Sequence, residues 1–122
     1  MASNLETQIN DAIGAHGMWK MRLKAAIRTG QSDITAYDAS CDDACKFGKW
    51  LYGNDLNTAD KAGMPYQVTK RLHAEFHRCA GTVLGHALAH RKNDAECLLD
   101  GEFTERSEKL VRALTKWKRE AA

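Results

Sequence analysis

The pair His73-x-x-x-His77 sets two imidazoles one helical turn apart. On a helix both face one side, close enough to bind a single metal ion. Taken alone, such a pair is as readily two core histidines bonded to carbonyls as a pair of ligands. A third imidazole, His16, stands midway along an otherwise apolar seam in a different segment. Burying three imidazoles together costs several kcal/mol in unmet hydrogen bonds unless something uses their lone pairs, and a metal ion does so directly. A fourth donor is suggested by Cys45-Lys46-Phe47-Gly48-Lys49-Trp50-Leu51. A cysteine near a helix N-terminus has its thiolate favoured by the helix dipole, and thiolate is the form that binds zinc. Gly48 leaves room there for a close helix approach, and Trp50 adds a large apolar surface. The plainer reading of the same segment is a structural helix with a buried thiol.

The elements that position these residues follow from periodicity. Leu5, Ile9, Ala12, His16, Trp19, Leu23 and Ala26 recur at alternating steps of four and three, the seam of a buried helix face spanning about residues 5–28. Ser3 or Asn4 can cap its start, and Thr29-Gly30 can end it. From Gln31 the pattern weakens. A short irregular run followed by a helix from about Ser40 to Tyr52 is expected, because Ser40-Cys41-Asp42-Asp43 has the spacing of a capping box. Residues 53–63 read as a loop with one short turn. Pro65 suits the first turn of a third helix reaching about His90. At about 100° per residue, its apolar positions fall in one arc that includes His73 and His77, while His86 and His90 drift outward. Lys92-Asn93 breaks the chain. A last helical segment, about Asp94 to Arg119, carries Leu99, Phe103, Leu110, Leu114 and Trp117 at the helical period, with Gly101 as a kink or turn.

Composition agrees with this reading. The 122 residues suffice for one core, and one proline with nine glycines favours long helices over a turn-rich β fold. No repeat, low-complexity segment or linker divides the chain, so a single domain over residues 1–122 is expected. The expected fold is all-α: an antiparallel four-helix bundle with its metal site in the core. Eighteen Lys and Arg against 16 Asp and Glu leave a net charge of only +2, which argues against nucleic-acid binding. No apolar run approaches the roughly 18 residues needed to span a bilayer, so membrane insertion is not expected. MASNLETQIN lacks the basic and apolar regions of a secretion signal, and the expected location is cytoplasmic. Four cysteines in that setting read as metal ligands or redox thiols rather than disulfides.

Three elements together resemble the chemoreceptor zinc-binding (CZB) domain family. They are His16-Gly17-Met18-Trp19, Cys-x-Phe-Gly-x-Trp-Leu from Cys45 to Leu51, and His73-x-x-x-His77, in the family's order. The ligand positions are 29 and 28 residues apart, and Gly101-Glu102-Phe103 is also in keeping. The cysteine element is the specific part. The resemblance implies a four-helix bundle holding one zinc per chain through His16, Cys45, His73 and His77. It also implies a sensory, non-enzymatic role responding to zinc, or to oxidants such as hypochlorous acid through the zinc-bound cysteine. The implied partners are a second copy of the chain and a chemoreceptor or cyclic-di-GMP signalling protein.

Other readings compete. Three histidines with an open position would make a catalytic zinc site, but no general base stands beside the ligands, and Glu75 points away from the His73–His77 face. A di-iron bundle needs further carboxylate and histidine ligands, and the first helix offers Lys20, not a carboxylate, one turn after His16. A dimerisation module with a purely structural zinc is the third alternative. Cys41, placed one turn before Cys45, is expected to be a spectator. Cys79 lies about 200° around the helix from His77 and is not expected to share its ion. Cys97 has no visible partner, and His86 and His90 are expected at the surface.

Overall fold

The computed structural model describes residues 3–121, and among these the fold is all-α with no strand. Its helices are α1 (Ser3–Thr29), α2 (Ala36–Ser40), α3 (Lys46–Tyr52), α4 (Thr58–Ala62), α5 (Met64–Leu88), α6 (Lys92–Leu98) and α7 (Thr104–Ala121). A π-helical turn, Leu99–Phe103, joins α6 to α7 without a break. The long helix formed by α6, the π turn and α7 therefore runs from residue 92 to 121.

The seam of α1 buries as its periodicity requires. Ile9, Ala12, His16, Trp19, Leu23 and Ala26 are all buried, with Leu5 packed at the edge. Helix α5 buries Phe76, Ala80, Val83, Leu84 and Ala87 on the same face as His73 and His77. Leu99, Phe103, Leu110, Leu114 and Trp117 close the core from the last helix. Helix α1 ends at Thr29 and α5 begins with Pro65 in its first turn, both as the sequence indicates. Because α1 already includes Ser3 and Asn4, its N-cap lies outside the described residues.

Cross-helix bonds give the directions. Lys118 donates to Asn10 at 3.0 Å and Lys20 to Thr104 at 3.2 Å, so α1 and α7 run antiparallel. Arg106 meets Glu75 at 2.8 Å, and Trp117 packs on Tyr66, so α5 and α7 are antiparallel too. Helices α1 and α5 are parallel: His16 lies beside His77, and Gly30 beside His90. The fourth position of the bundle is filled by α2 and α3, which descend along α5 from Ala36 beside Gly85 to Leu51 beside Tyr66.

That fourth position corrects the expected helix from Ser40 to Tyr52. Ser40 ends a helix rather than starting one. Thr35 caps α2 by accepting from the Asp38 N–H, and Cys41 is its C-cap. The chain leaves helical geometry until Cys45, the N-cap of α3. The break is imposed by packing. A Cβ on Gly81 would sit 2.5 Å from Ser40 Cβ and 2.9 Å from the Ala36 carbonyl oxygen, so α2 docks on α5 where only glycine fits. Two further boundaries shift. The turn before α6 falls at residues 89–91, with His90 at φ 61, rather than at Lys92-Asn93. The irregularity expected at Gly101 takes the form of the π turn Leu99–Phe103 within a continuous helix, which Thr104 steadies by donating its hydroxyl to the Leu99 carbonyl at 2.8 Å.

Candidate metal centre

Three elements bring four side chains together at the bundle centre. Helix α1 supplies His16, the N-cap of α3 supplies Cys45, and successive turns of α5 supply His73 and His77. One donor atom from each lies within 4.8 Å of the others. His16 Nε2 is 3.0 Å from His73 Nε2 and 3.2 Å from His77 Nε2. Cys45 Sγ is 3.4 Å from His73 Nε2 and 4.0 Å from His16 Nε2. A tetrahedral zinc with its usual bond lengths has nitrogen–nitrogen edges of about 3.3 Å and nitrogen–sulfur edges of about 3.6 Å. The nitrogen–nitrogen separations fall about 0.1–0.3 Å short of that edge, and the sulfur–nitrogen separations lie either side of theirs.

The protonation pattern leads to the same fit. His16 Nδ1 is 2.7 Å from the Ala12 carbonyl oxygen and must donate to it, which leaves Nε2 as a bare lone pair. His77 Nδ1 likewise donates to the Ala39 carbonyl at 3.1 Å, leaving its Nε2 bare. These two lone pairs face each other. His73 Nδ1 is buried without any partner. The cluster thus directs four acceptor atoms at one point, with only the His73 proton and the Cys45 thiol proton to share among them. Without a cation this is an unfavourable arrangement in a dry core; a soft divalent ion with nitrogen and sulfur preferences satisfies all four.

Burial keeps the imidazoles in their metal-binding, neutral form. It lowers His16 to about 4, with the nearby His77 adding to the effect and the Ala12 bond opposing it. It lowers His73 to about 2, reinforced by His77 and His16. His77 is also lowered by burial, against its bond to Ala39. Aromatic edges and faces exclude water: Phe76 lies 5.1 Å from His16, Phe47 5.2 Å from His73, and Trp19 5.7 Å from His77, centroid to centroid.

Cys45 departs from the expectation that the helix N-terminus alone favours its thiolate. Its sulfur accepts from the Gly48 N–H at 3.3 Å, but desolvation outweighs that bond and pushes the thiol above its ordinary value. The thiolate therefore depends on a cation beside it. Gly48 does provide for a close approach, though to a loop rather than a helix: a Cβ there would lie 1.9 Å from the Asp42 carbonyl oxygen. Glycine at 48 lets residues 42–45 fold tightly enough to aim the sulfur inward.

The remaining residues fall outside the cluster. Cys41 is not on a helix with Cys45; its thiol donates to the Tyr37 carbonyl at 3.3 Å. Cys79 is buried on another side of α5, and Cys97 is exposed. His86 accepts from Arg91 Nε at 3.1 Å, and His90 is exposed. Glu75 is held by Arg106 and Arg71, away from the donors. Sequence reasoning missed the Ala39 carbonyl, which orients His77. The Thr35 cap three residues before Asp38 was the available signal for the short helix that presents it.

Comparison with known protein families matches residues 16–84, more than half of the chain, to the chemoreceptor zinc-binding domain. No curated protein and no solved structure matches. The matched span begins at His16 and contains Cys45, His73 and His77. Members of this family bind zinc and act in regulation and sensing, and the four-donor cluster is positioned for one such ion. The chain belongs to the chemoreceptor zinc-binding domain family.

Proposed function

We propose that this domain is a zinc-holding sensory module whose ligands are His16 Nε2, Cys45 Sγ, His73 Nε2 and His77 Nε2, and whose switch is Cys45. The observation that carries the reading is the pair of bare Nε2 lone pairs facing each other at 3.2 Å, with both Nδ1 positions already committed. Bound zinc would supply the positive charge that keeps Cys45 as thiolate. His16 and His77 are held in the ligating tautomer by Ala12 and Ala39. The Gly48 N–H steadies the sulfur, and the aromatic walls keep out water.

The oxidant-responsive form of the switch is a reaction of Cys45. Its thiolate attacks the chlorine of hypochlorous acid; the sulfur–chlorine bond forms as chlorine–oxygen breaks and hydroxide leaves. Water then displaces chloride, giving the sulfenic acid and a proton. A sulfenic sulfur is a weaker ligand. Cys45 sits at the junction of a loop and the seven-residue α3, much shorter than α1, α5 or α7, so its release frees a small element to shift against α1 and α5. Loss and gain of zinc itself would act on the same element.

The proposal extends to a cytoplasmic setting, a homodimer, and output through a chemoreceptor or cyclic-di-GMP signalling partner, on the strength of family membership. A non-catalytic role is supported by Glu75, whose carboxylate is engaged by two arginines instead of standing beside the donors. The test is metal content by mass spectrometry, with thiol counting before and after stoichiometric hypochlorous acid. One zinc per chain, and loss of one thiol together with weaker zinc retention, is the expected result. Zinc that stays while the thiols remain unreactive would leave a structural or purely zinc-responsive module.

A further inference from the structure

Cys45 is only partly buried, unlike the three histidines beside it. A cleft of about 140 Å³ between α1 and α3 leads down to it and to His16. Among its lining residues, Asp11 and Ala15 on α1 and Lys46 on α3 are exposed and mark its mouth. We propose that this cleft is the route by which small reagents reach the Cys45 sulfur, and that the small side chain of Ala15 keeps it open. The inference rests on the reading of Cys45 as a reactive thiolate.

Three observations support it. The sulfur is shut in elsewhere, by His73 at 3.4 Å and by the turn of α3 that carries the Gly48 N–H. The cleft holds several times the share of liquid volume that one water occupies, which admits molecules of a few heavy atoms and rejects large ones. Across the mouth, Lys46 Nζ lies 3.6 Å from Asp11 Oδ2, with both side chains more than half exposed. Such a solvated pair holds weakly and opens readily. Ala15 is exposed, lines the cleft, and is not the partner of any donor's hydrogen bond. A larger side chain at 15 would lean toward the N-terminal turn of its own helix, over Asp11 and Ala12, and so across the cleft.

The test uses the zinc-loaded protein with iodoacetamide as probe: the thiolate forms a sulfur–carbon bond, the carbon–iodine bond breaks, and iodide leaves. Peptide mass mapping reads Cys45, with exposed Cys97 as internal standard and metal analysis run in parallel. Ala15→Leu should slow Cys45 modification about tenfold, with zinc content, melting temperature and the Cys97 rate unchanged. Ala15→Ser should react as the parent does. An Ala15→Leu protein whose Cys45 reacts at the parent rate overturns the route, as does a parent in which Cys45 is inert while Cys97 reacts. Absence of zinc together with an Ala15-dependent rate would overturn the functional reading and leave the route standing.

Discussion

His16 and His77 face each other through unprotonated nitrogens, Nε2 to Nε2 at 3.2 Å, because each ring has committed its Nδ1 proton to a backbone carbonyl. The carbonyls belong to Ala12, one turn back on α1, and Ala39, near the end of α2. Two helices and a short docked element are thereby arranged around an electrostatic conflict that a cation resolves. The fold's stability and its ligand binding are consequently linked.

Removing the metal should therefore destabilise the bundle without abolishing its helices. Thorough chelation is expected to lower the melting temperature by about 10 °C, equivalent to roughly 3 kcal/mol, and zinc should restore it. Differential scanning calorimetry of the chelated and reloaded protein measures this. Identical transitions would mean that the four donors are content without an ion.

Two ligand substitutions should separate binding from packing. Cys45→Ser leaves a side chain of similar size at a half-open position, so helicity should persist while zinc is lost to a chromogenic chelator at least about tenfold more readily. His73→Ala removes a donor and a fully buried ring together. It should cost about 3 kcal/mol in urea unfolding even in the metal-free protein. Unchanged zinc retention in Cys45→Ser would remove sulfur from the ligand set.

Gly48→Ala tests whether the loop before α3 aims the sulfur. The added Cβ would fall 1.9 Å from the Asp42 carbonyl oxygen and 3.0 Å from Asp43 Cα, both backbone atoms. The loop must move, at about 1–3 kcal/mol, and Cys45 moves with it. Weaker zinc binding with all four donors still present is the predicted outcome in a metal-competition titration. Wild-type affinity would show that the loop is free to adjust.

Acid should destabilise the metal-free protein earlier than its carboxylates would. In the unfolded chain the histidines titrate near 6.5, whereas burial holds His16 at about 4 and His73 at about 2, with His77 also lowered. Below 6.5 the unfolded state takes up protons that the folded state refuses. The contribution is thus fully present above that value, declines as pH falls through the window, and levels off below the folded values. Urea midpoints of metal-free protein at about pH 7.5 and about pH 5 check the sign: the acidic midpoint should be lower, and a higher one would contradict burial of neutral rings.

The donors were legible because each carries a local signature. His16 interrupts an apolar seam, His73 and His77 share one face of α5, and Cys45 opens the Cys-x-Phe-Gly-x-Trp-Leu element near an expected helix start, although its position as the N-cap of α3 emerged only in the fold. The long helices were equally plain from periodicity and from Pro65 at the start of α5. What the sequence concealed depends on contacts between distant segments. Ser40-Cys41-Asp42-Asp43 has the spacing of a helix start, yet the docking of α2 on Gly81 makes Ser40 an end. The bond from His77 to Ala39 uses a backbone carbonyl, which no residue type advertises. Gly101 marked an irregularity, but its form as a π turn is tied to the Thr104 hydroxyl reaching back to Leu99.

Zinc-edge X-ray absorption on the purified, untagged protein reads the ligand set itself. The account predicts one zinc per chain with a single sulfur neighbour at about 2.3 Å and three nitrogen neighbours at about 2.0 Å, the sulfur signal vanishing in Cys45→Ser. A zinc shell without sulfur, or iron in place of zinc, would contradict it.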